Sequence, residues 1–142
     1  MSETMEMHGH CLCGNVSLTT QMKPQVGVCH CSMCRRWGGG PFFATDGIPN
    51  LKFEGQEHIT AYNSSEWGER AFCKHCGTHL YYRVKQSNEY IVPAGFFDDE
   101  SKFEFKQQIF IDRKPEFYHF GNETHNMTEA EFIAMVTGGS NG

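Results

Sequence analysis

Seven cysteines fall in three tight groups along 142 residues, and any fold has to account for all of them. The groups are "CLC" at Cys11 and Cys13, "CHCSMC" at Cys29, Cys31 and Cys34, and "CKHC" at Cys73 and Cys76. An odd count leaves one thiol over in any disulfide framework. The first ten residues, "MSETMEMHGH", carry neither a basic stretch nor an apolar stretch of the kind a secretory signal needs. The expected compartment is therefore the reducing cytoplasm, where clustered cysteines serve as metal ligands or catalysts rather than as disulfides.

Two cysteines at C-x-C spacing on an extended segment point to the same side, so both sulfurs reach one metal ion. A C-x-x-C followed by glycine, as in "CKHCGTHLYY", has the form of a zinc knuckle, in which the glycine turns the backbone back under the metal. Cys11 and Cys13 supply half of a closed four-thiolate site, and Cys73 and Cys76 supply the other half. Joined, they close a long loop and staple the fold, so this zinc is structural. Four thiolates around a single iron share the same spacing, but they suit zinc best.

Three cysteines remain. Cys29, Cys31 and Cys34 span six residues and hold a metal from one side, which leaves a fourth position for a ligand; this is the general form of a catalytic zinc site. The bland alternative is a second structural site completed by His30 or His75. Three thiolates bring a divalent zinc to about −1, which makes it a poor generator of hydroxide but a good seat for an incoming thiol. Positive groups should then lie nearby. Arg35 and Arg36 follow directly, and the backbone around Gly38, Gly39 and Gly40 offers an anion nest, although such a run also reads as a plain turn. The expected substrate is an anionic small-molecule thiol, with His30 and Asp46 as unranked candidates for moving a proton.

The rest of the chain reads as strands. Short β-branched or aromatic runs bounded by Gly, Pro or Asn occupy 15–20, 25–29, 41–46, 51–55, 58–63, 69–73, 79–84, 90–97 and 102–111. Helical spacing stands out only in "MTEAEFIAMVTGG". There Thr128 and Glu131 form a capping box, Phe132, Met135 and Val136 an apolar stripe, and Gly138 a stop. Residues 138–142 read as a frayed tail. Asp112 and Lys114, ahead of Pro115, read as fixing the turn between the last strand and the helix. The expectation is one mainly β domain over residues 1–142, a barrel or sandwich stapled by zinc, with one short C-terminal helix. A net charge of −5 with no basic tail speaks against nucleic-acid binding, and no apolar run is long enough to span a bilayer.

With these residues in place, the chain resembles the glutathione-dependent formaldehyde-activating enzymes, a family that includes centromere-protein-V-like members. The resemblance rests on "GHCLCGNV", "CHCSMCRRWGG", "FCKHCGTHLYY" and "IFIDRKPEFY", and it covers about residues 8–120. It implies a β-tent zinc fold with two zincs per chain, one on Cys11, Cys13, Cys73 and Cys76 and the second on Cys29, Cys31 and Cys34. The activity it implies is carbon–sulfur lyase chemistry on S-hydroxymethylglutathione. The alternative is a non-catalytic zinc module that binds a thiol ligand or a partner protein; a chromatin-associated role, suggested only by the centromere-protein-V-like relatives, fits the acidic balance poorly.

Overall fold

The computed structural model describes residues 3–138. In chain order the strands are β1 (Met5–His10), β2 (Ser17–Met22), β3 (Gln25–Cys29), β4 (Phe42–Thr45), β5 (Ile48–Pro49), β6 (Ile59–Tyr62), β7 (Gly68–Cys73), β8 (His79–Val84), β9 (Glu89–Ile91), β10 (Glu104–Ile109) and β11 (His125–Met127). Helix α1 (Ser32–Gly38) lies between β3 and β4, and α2 (Glu129–Ile133) follows β11. The fold is mainly β, as the strand pattern requires. Its sheets have two, four and five strands in the orders β1-β2, β11-β10-β3-β4 and β5-β9-β8-β7-β6. None of them closes on itself among the described residues, so the barrel expected from the sequence is replaced by open sheets. Closure needs the first and last strands of one sheet to pair, and here the strands are short and broken by 3-10 turns such as Ala94–Phe96.

The chain divides into two compact units. One runs up to Gln25 and includes Ala44–Phe103; the other holds Val26–Phe43 and the chain from Glu104 onward. The first unit carries the β1–β2 hairpin and the five-stranded sheet. Its core gathers Met7, Val16, Leu18, Leu80, Val92 and Phe96 with the buried Cys11 and Cys73. Strand β1 was not expected from "MEMHGH", which lacks β-branched residues. Its period-2 alternation nonetheless buries Met7 and Gly9 and exposes Glu6, His8 and His10.

In the second unit, β3 buries Val26 and Val28 on one face. Phe43, Phe105 and Phe120 meet edge to face at 5.2–5.4 Å, a favoured aromatic arrangement. Helix α1 is a second helix beyond the one the sequence announced, because its seven residues carry no apolar stripe. Helix α2 begins with the expected capping box, Thr128 with Glu131. It then loosens into a π turn over Ala134–Gly138. The apolar stripe is only partly used: Phe132 packs on Phe110 with ring centroids 5.8 Å apart, whereas Met135 and Val136 are exposed. Apart from Gly138, the expected frayed tail lies outside the described residues. Asp112 does fix a turn, with its carboxylate accepting from the Glu129 N–H at the start of α2. No helix among the described residues is long and apolar enough to cross a membrane.

Candidate metal centres

Both cysteine groups that the spacing separates are assembled, each within one unit. In the first unit, Cys11 sits at the end of β1 and Cys73 at the end of β7, and both are fully buried. Each is followed by a tight reversal. The Gly14 N–H donates to the Cys11 carbonyl at 3.0 Å and the Gly77 N–H to the Cys73 carbonyl at 2.8 Å. Gly14 and Gly77 both have left-handed φ, 85° and 79°, which residues with a Cβ rarely adopt. These reversals bring Cys13 and Cys76 back over their partners, and the four sulfurs lie within 4.8 Å of one another. The Cys11–Cys13 and Cys13–Cys73 sulfur separations are 3.6 and 3.7 Å. A tetrahedron with Zn–S bonds of about 2.3 Å has edges of about 3.8 Å, so the set fits a zinc ion.

Two neighbours that sequence reasoning did not single out support this set. The Thr78 hydroxyl accepts from the Leu12 N–H at 3.0 Å and donates to the Cys76 sulfur at 3.2 Å, tying one cysteine loop to the other. Desolvation raises the Cys76 thiol, but the Thr78 hydroxyl and nearby backbone N–H groups outweigh it and lower its pKa to about 5. The Asn15 side chain donates to the Cys13 sulfur at 3.4 Å. The His10 ring is committed elsewhere, spanning the Cys11 carbonyl and Asp98. His8 pairs with Thr19 and Glu6. His75, inside the knuckle, pairs with His58 at 2.8 Å.

In the second unit the alternation of β3 continues one step past its end. Val26, Val28 and His30 face inward, while Cys29 and Cys31 share the opposite face. Cys31 then caps α1, its sulfur accepting from the Cys34 N–H at 3.3 Å. That first helical turn returns Cys34 to the other two, and the three sulfurs lie within 4.8 Å of one another. Hydrogen bonds from Cys29 and Cys34 to the Cys31 sulfur lower its pKa to about 2, and the same crowding pushes Cys29 far up. Three sulfurs so arranged suit a soft divalent cation. No histidine or carboxylate joins this group among the described residues.

His30 in particular is not a ligand. It is fully buried, with one ring nitrogen 2.7 Å from the Tyr118 hydroxyl and the other 2.8 Å from Gln108 Oε1. Burial holds its pKa down, helped by the nearby charges of Lys114 and Arg35. It therefore cannot touch a substrate directly. Asp46, the other proton-transfer candidate, lies in the first unit and is half-buried; desolvation raises its pKa.

Arg35 is half-buried, with its Nε donating to the His30 carbonyl at 2.8 Å. Its two Nη groups make no hydrogen bond among the described residues. Arg36 is exposed on the same helix. Gly38, Gly39 and Gly40 form the end of α1 and the turn after it, with the Gly39 N–H taken by the Arg35 carbonyl at 2.7 Å. Beyond the adjoining chain and the helix's own backbone, no atom lies within 4 Å of where a Cβ would stand on any of these three glycines. The run thus offers open space beside α1, with one of its N–H groups already used. Gln108, which holds His30, carried no mark in the sequence, and Tyr118 closes the "IFIDRKPEFY" segment without any sign there of its partner.

A crystal structure of a Rhodobacter sphaeroides protein has a similar fold, with a TM-score of 0.56 at 22% identity over 86% of this chain and all of that one. A Schizosaccharomyces pombe protein described as an uncharacterized lyase is 35% identical over 133 residues, which is 92% of this chain and 97% of that protein. The family model for the glutathione-dependent formaldehyde-activating enzyme matches residues 6–113, a segment that contains all seven cysteines. This chain belongs to the glutathione-dependent formaldehyde-activating enzyme family.

Proposed function

We propose that the chain is a zinc-dependent carbon–sulfur lyase that acts on a glutathione-type thiol adduct such as S-hydroxymethylglutathione, a reaction of formaldehyde detoxification. Family membership and a lyase-named relative support an enzyme of the lyase type. The observation that carries the finer reading is the converged Cys29, Cys31 and Cys34 with no fourth protein ligand among the described residues.

In this reading Cys11, Cys13, Cys73 and Cys76 hold a structural zinc, and Cys29, Cys31 and Cys34 hold a second one. A zinc held there would supply a soft Lewis-acidic seat for the substrate sulfur. The surrounding residues do the rest. Arg35, anchored through Nε, presents its Nη groups to a carboxylate of the thiol, and Arg36 adds a more exposed positive charge. The space beside Gly38 and Gly39 admits the peptide-like body of the ligand. In the lyase direction the C–S bond breaks with its electron pair going to sulfur, the hydroxymethyl O–H loses its proton, and the C=O of formaldehyde forms. The net products are the free thiol and formaldehyde. The reverse direction adds the thiol to formaldehyde through the same contacts.

Metal content of the purified full chain, measured with glutathione titrated in, tests this reading. We expect two zincs per chain, one of them lost in Cys31→Ser together with glutathione binding, and turnover of the formaldehyde–glutathione adduct by the wild type alone. Two zincs, glutathione binding and no turnover would replace the enzyme by a thiol-binding module. A single zinc that survives Cys31→Ser would remove the second centre from the proposal.

A further inference from the structure

We propose that His58 and His75 form a further metal site, a two-nitrogen seat for a divalent copper or nickel ion beside the four-cysteine centre. The inference is independent of the lyase reading, which uses neither residue. Both histidines lie in the first unit.

Sheet register brings the two together. Strand β6 pairs with β7 so that Ile59 stands opposite Cys73. One step beyond that pair, the Lys74 N–H donates to the His58 carbonyl at 2.8 Å. His58 closes the 3-10 turn Gln56–His58 ahead of β6. His75 lies in the reversal after β7, which the Gly77 N–H closes on the Cys73 carbonyl. Backbone hydrogen bonds therefore fix the chain next to both histidines. Their side chains meet through nitrogen, with His58 Nδ1 2.8 Å from His75 Nε2. The rings are tilted by 57° rather than stacked, with centroids 4.8 Å apart.

Glu57 biases where the protons sit. Its carboxylate is 3.4 Å from His58 Nε2, the ring nitrogen that does not face His75. A carboxylate only accepts, so it favours a proton on Nε2 and leaves the Nδ1 lone pair turned toward His75. An acidic group behind the outer nitrogen is also what orients metal-binding histidines. One proton then lies between the rings, on His75 Nε2. His75 is exposed, so that proton can move to its Nδ1 and meet water. Two lone pairs then face one ion, and neither neutral ring changes its charge.

The spacing selects the ion. With metal–nitrogen bonds of about 2.0–2.1 Å, nitrogens 2.8 Å apart subtend about 85–90° at the metal. A tetrahedral ion would hold them about 3.3 Å apart. Right-angled nitrogen sets belong to copper(II) and nickel(II), whereas zinc favours the tetrahedron and the softer sulfurs. The histidines fill two adjacent corners, and water or an outside amine, carboxylate or imidazole takes the others. A bound ion joins the turn before β6 to the cysteine reversal after β7 and stabilises the folded chain by mass action.

The test titrates nickel(II) into the zinc-loaded full chain by calorimetry, with zinc content measured before and after. Wild type is compared with His58→Ala, His75→Ala and the control His8→Ala, whose ring pairs with Thr19 and Glu6. We expect one nickel per chain in wild type and in His8→Ala, with zinc retained. Removing either histidine of the pair should weaken that binding by about 10- to 100-fold or more, since even the partners that orient metal ligands contribute that much. Copper(II) should bind more tightly than nickel(II), and added zinc more weakly. One equivalent of copper(II) should show coupling to two nitrogens in the paramagnetic resonance spectrum of wild type and to one in His58→Ala. No nickel binding by wild type, equal binding in His58→Ala, nickel uptake that expels zinc, or an added zinc that binds more tightly than nickel would each overturn the proposal. His58 stands outside the cysteine reversal, so His58→Ala decides if His75→Ala does not fold. His58→Gln, which keeps a polar side chain of similar reach, decides by the same titration if neither alanine variant folds.

Discussion

Replacing Thr78 by valine keeps the side-chain shape and removes one hydroxyl that joins the two cysteine loops of the first centre. Two hydrogen bonds go with it. The bond from the Leu12 N–H, 3.0 Å long and on an exposed segment, is a neutral one of about 0.5–1 kcal/mol. The bond to the Cys76 sulfur, 3.2 Å long and part-buried, is charge-assisted once that sulfur is a thiolate and is worth about 1.5–3 kcal/mol. Water reaches both partners after the substitution, so the net loss should fall to about 2 kcal/mol rather than the full total. At about 1.4 kcal/mol per decade, that corresponds to a loss of about 10- to 100-fold in zinc affinity, the range typical of groups that orient metal ligands. Competition with a chromophoric chelator measures the affinity, and urea unfolding of the zinc-loaded chain measures the stability. Thr78→Ser keeps the hydroxyl and should stay within about 0.5 kcal/mol of wild type. A Thr78→Val chain that holds zinc as tightly as wild type would refute the argument, because among the described residues no other side chain bonds both the Leu12 N–H and the Cys76 sulfur.

Other perturbations have equally definite outcomes. Gly77→Ala places a Cβ on a left-handed backbone with open space around it, so the cost is conformational alone, about 1 kcal/mol, and should appear as a lower urea midpoint with zinc stoichiometry intact. Gly9→Ala is a steric test instead: its Cβ would stand 2.4 Å from the Phe96 carbonyl oxygen, and thermal unfolding should show a loss of about 1–3 kcal/mol from overpacking. Glu69 is held below the usual carboxylate range by the Arg83 guanidinium, 3.0 Å away. Its stabilising contribution is therefore present above the ordinary glutamate pKa and is lost as pH falls through the lower folded value. Urea midpoints of wild type and Glu69→Gln should converge on acidification and separate again near neutrality.

The two cysteine sites were the most legible part of the fold because their geometry is local. C-x-C, C-x-x-C and the following glycines define reversals a few residues long, and their pairing needs only that Cys13 come within 3.7 Å of Cys73. His30 was harder: the sequence left it a candidate ligand and proton-transfer group, and only its burial on the face opposite Cys29 and Cys31 removes it from both roles. The missed elements lacked their usual markers. Strand β1 alternates with methionine and glycine in place of β-branched residues, and α1 is only about two turns long, with a first turn that returns Cys34 to Cys31.

The partners of His30 were illegible for a different reason. Tyr118 is 88 positions away and Gln108 78 positions away, and no local pattern encodes contacts at that separation. They meet because β10 lies beside β3 in the four-stranded sheet and β11 continues it in parallel, bringing Thr124 against Gln108. A buried imidazole with one nitrogen left unpaired would cost about 1–3 kcal/mol, so the fold must supply two partners of opposite hydrogen-bonding sense. Gln108 and Tyr118 meet that requirement with different accessibility, one buried in the sheet and the other half-exposed. Folding alone demands only that both nitrogens be satisfied, and Gln108 and Tyr118 do so at 2.8 and 2.7 Å.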